Sequence, residues 1–245
     1  MACLIAAELP NEVIRHTNMN TSSSKPLRPM LAEPTTSLTD LALAVLATFY
    51  AIRLCKRTTR GERSSLLWAL ALAAAGLAAL AGAVSHGIRE DSSLPWLLKL
   101  RAAAWKIVGL STATASGFML AGSIIADVSP RRRKPLLAAA AVKTAVFAAA
   151  GWKSGNFLFT ILDYGSAMLV ILVLQLRNFG TSLAAPWLTA GIIVSFAAAA
   201  VQRSGFALHA RFNHNDLYHV IQMGAFHLLY EGAQRMQDGG DLKTD

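Results

Sequence analysis

The feature that most constrains this chain is a series of long apolar runs separated by short charged clusters. A span of bilayer hydrocarbon needs about 20 consecutive, mostly apolar residues. Seven segments approach that length: about 38–55, 65–88, 102–128, 135–152, 156–176, 183–202 and 217–233. Of the 245 residues 54% are hydrophobic and only 15% charged, with a mean hydropathy of +0.42. Soluble domains carry about 25% charged residues, so the deficit supports the same reading. The expected fold is all-α, a polytopic bundle of seven transmembrane helices spanning residues 37–234. The seventh segment is the least apolar, since it carries His219, Gln222, His227 and Glu231.

The flanks read differently. Residues 1–36 are polar, hold prolines at 26, 29 and 34, and contain no run long enough to span. Leu4-Ile5-Ala6-Ala7 is too short for the apolar core of a signal peptide. A disordered N-terminal tail is expected over 1–36, with patterning beginning only after Met30, and a cytoplasmic C-terminal tail over 235–245. The two cysteines, Cys3 and Cys55, lie in the tail and at a helix end, which disfavours a structural disulfide.

The net charge of +9 and the pI near 10.0 do not point to nucleic acid. The basic residues gather in two short loops, Lys56, Arg57, Arg60 and Arg63 after the first segment and Arg131-Arg132-Arg133-Lys134 after the third. Both lie on one side of the bundle, and the positive-inside rule makes that side cytoplasmic. The N-terminus is then outside and the C-terminus inside. Arg131–Lys134 read as a break between helices, with Pro135 suited to a first helical turn. Trp68, Trp96, Trp152 and Trp187 fall near helix ends, where aromatic belts form. Ala113, Gly117 and Ala121 recur every four residues on the third helix, and small faces of this kind allow close helix packing. Membrane lipids are the expected partners, and a protein partner in a membrane complex is compatible with these faces.

Polar groups in a membrane span are costly, so each is a functional candidate. The topology brings several to the outer face. Asp40 opens helix 1, Ser85-His86-Gly87 ends helix 2, Lys106 lies just inside helix 3, and Asn213-His214-Asn215-Asp216-Leu217-Tyr218-His219 opens helix 7. Asp216 suits a helix N-cap. Its role is then capping alone, or it shares a face with His219. His86, His214 and His219 plus a water would make a catalytic zinc site, in which zinc lowers the pKa of its water. Asp40 or Asp216 would serve as general base. Against this stands the ordinary role of interfacial His and Asn, which is to satisfy loop carbonyls. Lys143 and Asp163 are the deepest ionisable groups, each roughly 10–14 Å from the turn that joins their helices, and are expected to pair. His227 reads as a packed or hydrogen-bonded core residue, His209 as solvated loop, and Glu231 as an interfacial charge.

Seven helices, a histidine ending helix 2 and a histidine cluster opening helix 7 resemble the CREST superfamily, which includes alkaline ceramidases and the progestin and adiponectin receptors. The Ser85-His86-Gly87 and Asn213–His219 segments, with Thr39-Asp40, also resemble an uncharacterised bacterial seven-helix family. The CREST resemblance implies a metal-dependent hydrolase of a lipid or lipid-like amide or ester. The motifs differ in detail. The superfamily pairs two helix-7 histidines four residues apart, whereas Asn215 and Met223 flank His219 at that spacing. His214 is five residues before His219, about 140° away on a continuous helix, so both reach one ion only if the chain is non-helical at His214. The superfamily's serine, four before the helix-2 histidine, falls on Gly82, and the nearest match to its helix-3 aspartate is Asp91 in the loop. Two other readings stand beside the hydrolase. One is a transporter or receptor-like binding protein drawing on Lys143 and Asp163, and the other is a non-catalytic subunit of a membrane complex.

Overall fold

The computed structural model describes residues 31–58, 62–209 and 211–239. It is all-α, with α1 (Pro34–Arg57), α2 (Arg63–Gly87), α3 (Pro95–Asp127), α4 (Pro130–Ser154), α5 (Leu158–Arg177), α6 (Ala185–Ser204) and α7 (His214–Ala233). Six of these, α1 to α6, are long and apolar enough to cross a membrane. The protein is therefore a multi-pass membrane protein by helix length and composition. With 20 residues, α7 matches α5 and α6 in length, and it is seated between α6 and α1.

Six helices close a ring in the order α1, α2, α3, α5, α6, α7 and back to α1, while α4 lies outside it against α3 and α5. Small residues set the close approaches. A side chain on Gly191 of α6 would meet the Leu229 side chain at 2.8 Å, and one on Gly232 of α7 would meet Leu188 at 2.5 Å. Each helix thus offers one leucine to the other's glycine, and packing replaces the hydrophobic drive that lipid removes. Gly117 of the small-residue repeat faces Thr144 of α4. The outward faces carry apolar side chains such as Val45, Val142 and Val146, each at least 60% exposed.

Several boundaries differ from expectation. Arg131–Lys134 are not a loop but the first turn of α4, which begins at Pro130 and runs through Pro135. Basic side chains are tolerated in a helical turn that lies beyond the hydrocarbon. Pro135 forfeits only one ladder bond there, to a carbonyl near the solvated end. The chain from Leu31 is not wholly tail. Ala32 and Glu33 donate backbone hydrogen bonds to the carbonyls of Gly87 and His86 (3.3 and 3.1 Å), and α1 starts at Pro34. Residues 1–30 and 240–245 lie outside the described residues. Trp68 belongs to the core, not to an aromatic belt. It is 0% exposed and packs where Gly122 of α3 leaves room. Trp96, Trp152 and Trp187 are exposed, as the belt requires. His227 is exposed too, its Nδ1 3.1 Å from the Tyr50 hydroxyl.

On the face opposite the N-terminus of α1, the segment after α7 folds back under the bundle. Asp238 accepts the backbone N–H groups of Arg63 and Ser64 (2.9 Å each) and the Ser64 hydroxyl (2.6 Å). It caps α2 in place of Glu62, whose own side chain makes no capping bond. Met236 is buried beside it. The expected free tail is thus docked as far as Gly239. Partial burial pushes the Asp238 carboxyl up, but the bonds from Ser64 and Arg63 outweigh this and hold it below the usual range. A carboxyl with a depressed folded-state pKa stabilises the fold above its unfolded value, and that contribution is lost as pH falls through the folded value. The Asp238→Ala variant is therefore expected to melt below wild type at pH 6–7 in detergent, with the gap closing as pH drops below about 4. Thermal unfolding across that range measures it, and a gap independent of pH would contradict the capping role.

Candidate functional site

At the opposite end of the ring, five of the six ring helices surround a cavity of about 80 Å³. The N-terminal half of α1 supplies Asp40, the end of α2 supplies His86, and the start of α7 supplies Tyr218 and His219. Trp105 of α3, Phe157 before α5 and Tyr164 of α5 form the facing wall. Apolar surface dominates, and the polar groups sit together on the α1–α2–α7 side.

Asp40 and His219 are the centre of that side. His219 Nε2 lies 3.1 Å from Asp40 Oδ1, and His219 Nδ1 lies 2.9 Å from the Thr39 hydroxyl. The Asp40 and His219 residues are 5% and 2% exposed. The Thr39 proton has three acceptors in reach, Nδ1, the Thr36 carbonyl at 3.0 Å and, farthest, Asp216 Oδ1 at 3.5 Å. Given to Nδ1, it fixes the tautomer that carries its proton on Nε2, which Asp40 accepts. Gly82 of α2 makes room for this arrangement, because a Cβ there would lie 2.8 Å from Asp40 Oδ2. The position at which the CREST pattern has a serine is thus filled by the carboxylate of another helix.

His86 is held from the chain leading into α1. Its Nδ1 lies 3.2 Å from Glu33 Oε2, and its ring meets Trp105 edge-on at 6.5 Å. That hydrogen bond to His86 holds the Glu33 carboxyl below its usual range. Trp105 in turn lies 5.6 Å from the Phe157 ring. These two rings separate the main cavity from a second one of about 40 Å³ between α3, α4 and α5, lined by Gly109 and Gly151. Lys106 lines this second cavity, where it stacks over Trp152 at 4.7 Å.

The other candidates lie elsewhere. Asp216 is not the N-cap of α7. Asn213 caps the helix by accepting the N–H of Asn215 (2.8 Å) and Asp216 (3.3 Å), and Asp216 returns a bond from Asn213 N–H at 2.7 Å. This capping box spends the Asp216 carboxylate, which is fully buried behind Thr39 and does not line the cavity. His214 is the first residue of α7 and also does not line it, so the non-helical chain that a shared ion would require is not present. Asp91 pairs with Arg89 in the α2–α3 loop, at 2.9 Å. Lys143 Nζ lies 2.8 Å from Asp163 Oδ1 and donates to the Asp163 carbonyl at 2.7 Å, a closed pair between α4 and α5.

The implied zinc does not fit this donor set. Both ring nitrogens of His219 are engaged, and His214 is absent from the cavity wall. Among the described residues no group of three or more His, Cys, Asp or Glu side chains could hold a metal ion.

A model described as "Family of unknown function (DUF6962)" matches residues 35–238. The chain belongs to that family. The DUF6962 region begins one residue into α1 and ends at the capping Asp238, so it contains the whole cavity wall and the docked segment, but not Glu33. No curated protein and no solved structure matches the chain.

Sequence reasoning placed Asp40, His86 and His219 together. It missed Glu33, which sits in what reads as tail, and the aromatic wall of Trp105, Phe157 and Tyr164, since aromatic residues in a span carry no distinguishing signal. The fit of Gly82 against Asp40 gives a direct test. Gly82→Ala is expected to destabilise by about 1–3 kcal/mol through overpacking, and to cost nothing in an Asp40→Ala background, where helix propensity favours alanine. Thermal melts of the four proteins measure the coupling, and an equal cost in both backgrounds would place the clash elsewhere.

Proposed function

We propose that this chain is a membrane-embedded binding protein for an amphipathic, lipid-like small molecule, held at the outer face of the membrane. The observation that carries the reading is the cavity itself. Ligand sites are concave and largely apolar, with a few convergent polar groups that fix orientation. The cavity combines an apolar, aromatic wall with one buried carboxylate–imidazole pair. The second cavity beyond Trp105 and Phe157 extends the apolar volume toward α4 and the lipid, which suits a ligand with a chain. The closed Lys143–Asp163 pair supports a static binding role over a transport path through mid-membrane. Lipid covers the outward apolar faces.

A zinc-dependent hydrolase of a lipid or lipid-like amide or ester is the second reading. It is favoured by the imidazole–carboxylate pair opening on the cavity and by the resemblance to the CREST superfamily, and it requires a further metal ligand. One preparation separates the two. Protein purified in mild detergent is extracted and the extract read by mass spectrometry, beside the cavity-filling Ala79→Phe variant. A small amphiphile retained by wild type and lost from the variant is expected. Its absence from wild type would remove the binding reading. Zinc near one equivalent, lost in His86→Ala and His219→Ala, would put the hydrolase in its place.

The outer placement of the site rests on the basic face at the other end, where Lys56, Arg57 and Arg131–Lys134 lie. In right-side-out vesicles, with Cys3 changed to Ser, a membrane-impermeant maleimide is expected to label Ser92→Cys but not the exposed Cys55. The reverse pattern would invert the topology.

A further inference from the structure

The charge balance around the cavity says what the polar end of a ligand would be, given the binding reading above. The described cavity wall contains one carboxylate, Asp40, and neither lysine nor arginine. A second carboxylate, Asp216, is fully buried behind it, and it accepts from a neutral donor, the Asn213 N–H at 2.7 Å. Three cationic side chains of the α2–α3 region are engaged with other groups. Arg101 pairs with Glu90 at 2.6 Å, Arg89 with Asp91 at 2.9 Å, and Lys106 stacks on Trp152. His86 has Glu33 as its carboxylate partner. His219 satisfies Asp40 with a single proton in the tautomer that the Thr39 hydroxyl permits, so the imidazole in contact with the carboxylate brings it no positive charge.

A buried carboxylate without a cation is costly, and the cost falls when a cation arrives. The rest of the wall suits that arrival. Trp105, Phe157, Tyr164, Tyr218 and Phe226 line the same space, and the negative faces of aromatic rings attract ammonium groups. We infer that the cavity selects cationic amphiphiles, an ammonium group lying between Asp40 and the aromatic wall with the apolar chain running toward Trp105 and Phe157.

The test uses the full chain in nanodiscs of zwitterionic lipid and three chain-matched probes, octylammonium, octan-1-ol and octanoate. Binding is followed by calorimetry with empty nanodiscs subtracted. Wild type is expected to bind octylammonium at least about tenfold tighter than octanol, a difference of about 1.4 kcal/mol, and octanoate weakest. Asp40→Asn should bring octylammonium to within about threefold of octanol, a residue of cation–π attraction. Ala79→Phe should abolish binding of all three. Octanol or octanoate binding wild type as tightly as octylammonium would overturn the inference and leave the cavity reading standing, with Asp40 then neutralised by a proton of its own. A cation preference that survives Ala79→Phe would place the site elsewhere and also overturn it. Failure of every probe to bind wild type would overturn both. The wild-type ranking decides even if Asp40→Asn does not fold.

Discussion

The contact between the Asp40 carboxylate and the His219 imidazole joins the first helix to the last across 179 positions of sequence. A carboxylate in a membrane span is tolerated only with a partner, and here that partner comes from α7, which is not among the six helices apolar enough to span. Several of the polar residues that make α7 a poor span by composition face its neighbours. His219 faces Asp40, Gln222 donates to Ser195 of α6 at 3.1 Å, and Asn215 accepts from Gln202 of α6 at 2.7 Å. Hydrogen bonds between helices thus seat α7 in the ring and complete the cavity wall at once.

The two faces of the bundle use the same device for different ends. At the cavity end a residue just before α1, Glu33, holds the last turn of α2 through His86. At the basic face a residue just after α7, Asp238, caps the first turn of α2. Helix α2 is thereby fixed at both ends by the chain on either side of the bundle. Its Gly82 and His86 are held where the cavity needs them. The leucine–glycine exchanges between α6 and α7 do the corresponding work on the other side of the ring, where a methyl group would already collide.

Much of this was legible in sequence because it depends on hydrophobic length and loop charge. Seven helices, their order and the shared face of Asp40, His86 and His219 follow from alternating direction across the membrane. Local competition was harder to read. Asn213 and Asp216 are both good caps, and the extended backbone at Asn213 assigned the N-cap to it and the third helical position to Asp216. Helicity at His214 then removed the third histidine from the cavity wall. Arg131–Lys134 looked like a loop because charge excludes them from hydrocarbon, although nothing excludes them from a helix that extends past it.

By itself the sequence determined the class of protein and the membrane face at which its polar groups gather, since both are set by transfer of side chains between water and lipid. Only the tertiary structure decided which of those groups meet. Rotation of each helix about its own axis selects one face in about three or four, and that rotation is set by packing, by a glycine that admits a carboxylate at position 82 and by leucines that fill glycine gaps at 191 and 232. The same rotation turned Asp40 and His219 toward each other, left His214 outside the wall, and gave the cavity an aromatic wall with one buried carboxyl group.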